Sequence, residues 1–171
     1  MASTLQGVMD NVLVFAPAAE RRQAEYGEIY NAHSHRIYSL AFYITDNEMV
    51  AEELATNTFL RAFAGTDHPQ TEQIDHAFLA EVREFTPIGV LTLANSASAE
   101  PRNIRGNVKR VHLERAVVQL PATEKLVFLF HDVEGYEHSR IGRLLGISEE
   151  ESKLALHQAR IQIREQVAEM M

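Results

Sequence analysis

The 171-residue chain has no cysteine, no tryptophan and no long hydrophobic run. Without cysteine it can form neither disulfides nor thiolate metal sites, which fits a reducing compartment. Its longest apolar runs, such as residues 12–16, are far too short to span a bilayer. No basic residue precedes Arg21, so the positively charged start of a signal peptide is missing. We therefore expect a soluble cytoplasmic protein.

Basic side chains are scarce in the N-terminal part of the chain. Residues 1–101 carry five basic and fourteen acidic side chains, a net charge of −9. Residues 102–171 carry eleven basic and ten acidic side chains, a net charge of +1. Because DNA affinity depends largely on neutralisation of phosphates by lysine and arginine, the first part should bind DNA poorly and the second modestly at best.

Hydrophobic residues make up 46% of the chain and recur at helical spacing along most of it. No two-residue alternation typical of strands stands out. We therefore predict an all-α protein. The predicted helices lie at about 19–44, 48–64, 72–85, 108–119, 122–132, 137–145 and 149–168.

A small, polar stretch closed by a proline, residues 95–101, interrupts the helical pattern. Such a composition is typical of a linker. We therefore predict two small helical domains, at residues 1–93 and 107–171, joined by a linker at 94–106.

The most specific local pattern lies at residues 144–151, where one helix ends at Gly146 and the next begins at Ser148. Ser148 and Glu151 have the spacing of a capping box, in which each side chain binds the other residue's amide. Gly142 costs about 1 kcal/mol relative to alanine within a helix, and its small size would let the two helices approach closely. Two short helices joined by a tight turn form a helix-turn-helix, whose second helix can lie in a DNA major groove. The same capping spacing at residues 45–48 predicts that another helix starts there, with Thr45 as its cap.

Two stretches resemble the extracytoplasmic-function (ECF) branch of bacterial RNA polymerase sigma factors. The first comprises Ile37-Tyr38-Ser39-Leu40-Ala41 and residues 51–63, and is similar to conserved region two, which docks on the polymerase clamp. The second extends from Leu120-Pro121 through the helix-turn-helix to Arg164, and is similar to region four, which reads the upstream promoter element. Both motifs occur in the family's order.

The resemblance implies two sets of contact residues. The positions it indicates for polymerase binding are Glu52, Glu53, Asn57, Leu60 and Arg61. The positions it indicates for DNA binding are Ser148, Lys153, His157, Arg160 and Arg164.

The chain departs from the ECF pattern in both regions. Between Ser148 and Glu165 the last helix carries three basic residues and four acidic ones, three of which open the helix. An acidic first turn suits the helix dipole, but in a recognition helix this end approaches bases and phosphates. Where the family has a Trp-Leu pair, an Asn and an arginine-rich tail that hold and melt the promoter, this chain offers Phe78-Leu79 and then a mixed-charge segment.

Three hypotheses follow. The first is a divergent sigma factor that binds core RNA polymerase and directs it to promoter DNA. The second is a sigma-derived regulator that binds polymerase or an anti-sigma factor, with weak or no binding to promoter DNA. The third is an enzyme, but the neighbouring carboxylates Glu52 and Glu53 have no nucleophile or glycine-rich phosphate loop nearby. We therefore predict no catalytic residue, no metal and no cofactor.

Overall fold

The computed structural model describes residues 18–93 and 106–171, and every regular element within these ranges is helical. The predicted all-α class is thereby confirmed. Most of the predicted linker lies outside the described residues. None of the described helices is both long and apolar enough to cross a membrane. The elements are α1 (Ala18–Thr45), α2 (Glu48–Gly65), α3 (Thr71–Arg83), α4 (Arg110–Val118), α5 (Ala122–Phe128), a π-helical turn (Leu129–Val133), α6 (His138–Leu145) and α7 (Glu149–Met170).

The first three helices pack side by side, with α2 in contact with both α1 and α3. Aromatic side chains join α1 to α2: the ring centroids of Tyr26 and Phe63 lie 4.6 Å apart, and those of Tyr30 and Phe59 lie 4.9 Å apart. These aromatic residues therefore pack against each other between α1 and α2, as amphipathic helices require.

Helix α2 starts at Glu48, two residues later than a cap at Thr45 would place it. Thr45 is the last residue of α1, and its hydroxyl donates to the Ala41 carbonyl at 2.8 Å. Asp46 turns the chain with φ of 50°, and Asn47 then caps α2 by accepting the Val50 amide at 3.1 Å. The prediction of Thr45 as the cap is wrong because its side chain is already engaged by its own helix, and the short asparagine is well suited to capping.

The C-terminal helices surround α7, which contacts α4, α5 and α6. Gly146 ends α6 in the left-handed conformation, with φ of 72°. The Ser148 hydroxyl accepts the Glu151 amide at 3.0 Å, and the Glu151 carboxylate accepts the Ser148 amide at 3.2 Å, so the predicted capping box is confirmed. At Gly142 a Cβ atom would lie 2.7 Å from the Ile147 carbonyl oxygen, which explains why this position needs so small a residue.

The predicted helix 122–132 is α5 followed by a wider π-helical turn. The Glu134 amide donates to the Leu129 carbonyl at 3.0 Å, and the Tyr136 amide donates to the Phe130 carbonyl at 2.8 Å. This turn carries Asp132, and Tyr136 follows it.

The two halves of the chain share one hydrophobic core and are joined by a fully buried carboxylate. Asp75 on α3 accepts hydrogen bonds from Arg36 of α1 and from the Tyr136 hydroxyl, each at 2.6 Å. Arg140 of α6 lies 3.5 Å from the same carboxylate, with its guanidinium over the Tyr136 ring. Burial and the Asp75 hydrogen bond raise the pKa of the Tyr136 hydroxyl, which therefore stays protonated and donates.

Further buried polar contacts cross between the halves. One oxygen of the Glu124 carboxylate accepts the amides of Thr92 and Leu93, at 2.5 and 2.7 Å. The Lys125 ammonium donates across to the Tyr43 carbonyl at 2.9 Å, and within its own half to the Val118 carbonyl at 2.7 Å. The described parts of the two predicted domains are therefore held in direct contact.

Candidate DNA and polymerase interfaces

Helix α7 presents the predicted DNA-binding residues along one outward face. Lys153, His157, Arg160 and Arg164 are all exposed and follow one another at helical spacing. The opposite face is buried against the other C-terminal helices. The structure therefore brings these four predicted residues together. Ser148 lies at the start of the same helix, where its hydroxyl serves as the cap.

The first basic residue of this face is paired with acids of its own helix. The Lys153 ammonium lies 3.1 Å from a Glu150 carboxylate oxygen and 3.6 Å from one of Glu149. The hydrogen bond to Glu150 and the charge of both carboxylates raise the pKa of Lys153. Such exposed pairs contribute about 0–1 kcal/mol, so they break readily when a better partner approaches.

Arg160 is held more firmly, by Asp132 of the π-helical turn. The guanidinium donates from Nε at 3.1 Å and from Nη2 at 2.7 Å to the two oxygens of that carboxylate. Burial opposes ionisation of Asp132, but hydrogen bonds from Arg160 and His131 outweigh it and lower the pKa of the carboxyl group. The hydrogen bond to Asp132 in turn raises the pKa of Arg160. Sequence reasoning missed this pair because its members are 28 residues apart.

Two histidines continue this polar network. The rings of His131 and His138 stack with centroids 4.5 Å apart. His131 Nδ1 lies 2.7 Å from the Asp132 carboxylate, and His138 Nδ1 lies 2.9 Å from the hydroxyl of the fully buried Ser152. The network thus connects the π-helical turn, α6 and α7.

The predicted polymerase-binding residues lie on α2. Glu52 and Glu53 are exposed, and Leu60 is 64% exposed, an unusual fraction for a leucine. Asn57 is half-buried. Arg61 reaches across to the end of α3, where it lies 2.6 Å from Glu81 and 3.1 Å from Glu84. The outward surface of α2 therefore combines acidic and apolar groups, with its one arginine tied to neighbouring acids.

The candidate promoter-melting pair does not face the surface. Phe78 and Leu79 are both fully buried in the core. Base stacking requires an exposed aromatic ring, so Phe78 cannot stack on a base in this conformation. Phe85, just after α3, is 52% exposed and is the accessible aromatic ring in this segment.

The described residues form an all-helical protein with a C-terminal helix-turn-helix. In this motif the second helix can lie in the major groove of DNA. Residues 110–163, from α4 through most of α7, match the family described as Sigma-70, region 4. The helix-turn-helix formed by α6 and α7 therefore lies within the segment that matches sigma region 4.

The chain is also similar to the ECF RNA polymerase sigma factor SigE of Mycolicibacterium smegmatis, with 25% identity over 158 residues. This similarity covers 84% of the chain, more than the region 4 segment alone can supply, and 62% of that relative. The chain thus spans less than two thirds of the length of this curated relative. Together with the region 4 match, the similarity confirms the resemblance to ECF sigma factors.

Proposed function

We propose that this protein acts in transcription initiation as a sigma-type factor, binding core RNA polymerase and directing it to promoter DNA. The observation that carries the proposal is the region 4 helix-turn-helix, with Lys153, His157 and Arg164 along the exposed face of its second helix. Placed in a major groove, this face would set the protein's position through phosphate contacts and read base edges through the side chains that reach them.

The polymerase partner would dock on α2. Its exposed surface carries the acids Glu52 and Glu53, and near them the apolar side chains of Met49, 80% exposed, and Leu60. A partner that covered both side chains would remove their apolar surface from water, which favours association. The acids favour a partner surface with basic groups, since complementary charges direct association.

Capture of core RNA polymerase tests this arm of the proposal. The immobilised protein should retain purified core enzyme, and Leu60→Asp should abolish retention because a charge replaces an exposed apolar contact. Val90→Asp is the matched control, since Val90 is 74% exposed but lies outside α2. Failure of the unaltered protein to retain core enzyme would contradict the proposal, as would equal loss in both variants.

A second candidate function is a sigma-derived regulator that keeps a docking surface and has weak contact with promoters. The burial of Phe78 and the pairing of Lys153 and Arg160 with carboxylates favour it. It predicts that polymerase co-purifies while a promoter titration at low salt gives no sequence-specific shift. A sequence-specific complex weakened by Lys153→Ala would exclude it.

A further inference from the structure

The pairing of Arg160 with Asp132 resembles the way an arginine binds a phosphate. Two N–H groups of the guanidinium fork meet the two oxygens of one anion, at 3.1 and 2.7 Å. This two-pronged geometry is the one that arginine uses for phosphates and carboxylates alike. A DNA phosphate would compete with Asp132 for this Nε–Nη2 edge, and the carboxylate charge would repel a phosphate that approached the remaining Nη1 group.

The carboxylate is well placed to win such a competition. The Asp132 side chain is only 24% exposed, and His131 binds the same group at 2.7 Å. The π-helical turn fixes the backbone of Asp132, and its short side chain loses less rotamer freedom on pairing than the longer glutamate side chains do. Glu149 and Glu150, which pair with Lys153, are 55% and 84% exposed and lack this support. The Arg160 pair should therefore persist where the Lys153 pair breaks.

We propose that Asp132 limits the DNA affinity of this protein by occupying the guanidinium of Arg160 on the recognition helix. This inference rests on the proposed function, in which the outward face of α7 meets DNA. Asp132 acts through Arg160 and is a positioning residue. With Arg160 engaged, the helix neutralises fewer phosphates than its basic residues suggest, so both its affinity and the salt dependence of binding are lower.

Neutralisation of Asp132 provides the test. Binding of a short fluorescent duplex by the full chain is followed by anisotropy at several salt concentrations. Asp132→Asn should lower Kd at low salt by roughly three- to tenfold and steepen the salt slope by about one, because one more cation reaches phosphate. Glu137→Gln is the matched control, since it makes the same charge change at an exposed neighbouring position.

Four further variants separate this role from a purely structural one. Asp132→Glu keeps the charge and should bind nearly as the unaltered protein does. In Asp132→Asn combined with Arg160→Ala, the gain in affinity should disappear. Arg160→Ala alone should weaken binding less than Arg164→Ala, a comparison that holds even if Asp132→Asn fails to fold.

Equal effects of Asp132→Asn and Glu137→Gln, or weaker binding by Asp132→Asn, would overturn the inference. So would the absence of duplex binding by every variant. The proposed function fails separately: if Asp132→Asn binds more tightly but the protein retains no core polymerase, the inference about Asp132 stands and the sigma role does not.

Discussion

Single side chains decide how closely the two helices of the helix-turn-helix approach. At Gly142 the atom that an added Cβ would meet is the Ile147 carbonyl oxygen, at 2.7 Å. A backbone atom in a tight turn cannot move aside as a flexible side chain can. The position therefore tolerates the poor helix propensity of glycine in exchange for close packing of α6 against the start of α7.

Gly142→Ala should destabilise the protein in spite of the better helix propensity of alanine. We expect the free energy of unfolding to fall by about 1–3 kcal/mol, the usual effect of overpacking. Gly27→Ala in α1 is the control, since nothing lies within 4 Å of its added Cβ. That variant should be more stable than the unaltered protein by up to about 1 kcal/mol. Urea denaturation measures both, and a change of the same sign in the two variants would contradict this account.

At the scale of the elements, capping residues made the helix-turn-helix predictable. Ser148 and Glu151 satisfy each other's amides within four residues, so the start of α7 can be predicted without knowledge of the rest of the fold. The Thr45 pattern shows the limit of such reasoning, because the competing use of the hydroxyl by α1 cannot be seen in the motif. The π-helical turn has no sequence signal either.

Long-range polar contacts were beyond sequence reasoning for a different reason. Asp132 and Arg160 are 28 residues apart, and Arg36 and Asp75 are 39 apart. Their pairing depends on how whole helices pack, which composition and spacing do not specify. The helical spacing of the basic residues predicted the outward face of α7. It did not predict that Lys153 and Arg160 are paired with carboxylates.

The histidine network between α6 and α7 predicts a pH dependence of stability. Burial, with the charges of His131 and Lys153, lowers the pKa of His138 below its ordinary value of 6.5, against the opposing influence of Glu149 and Glu137. The unfolded chain then binds this proton more readily than the folded one, so stability falls as the pH drops below about 6.5. His138→Gln should flatten that part of the stability curve.

The comparison is made by urea denaturation at a series of pH values. His157→Gln serves as the control, because His157 is exposed on the outward face of α7. Contributions from other titrating groups cancel when each variant is compared with the unaltered protein. A His138→Gln curve parallel to that of the unaltered protein would contradict the assigned role of His138.

At the scale of the whole molecule, Asp75 connects the two halves. It accepts hydrogen bonds from Arg36 in the first half and from Tyr136 in the second, with Arg140 close by. Replacing it with a neutral group would leave two arginines beside a buried site without their counter-charge. The halves should therefore lose stability together.

Asp75→Asn should lower the free energy of unfolding by about 3–5 kcal/mol, as expected when one member of a buried ion pair is removed. Glu114→Gln, which breaks the exposed pair with Arg110, should cost less than about 1 kcal/mol. Amide hydrogen exchange should show faster opening of both α3 and α6 in Asp75→Asn. Faster exchange confined to one half would show that the two halves are not coupled through Asp75.

The central claim is that this chain directs polymerase to promoters, and transcription measures it most directly. Purified core RNA polymerase is combined with the protein and a library of genomic fragments, and the transcripts are sequenced. The account predicts transcripts that start at defined sites only when the protein is present, and that weaken with Arg164→Ala. Core enzyme that is retained by the protein yet gives no protein-dependent start sites would contradict it.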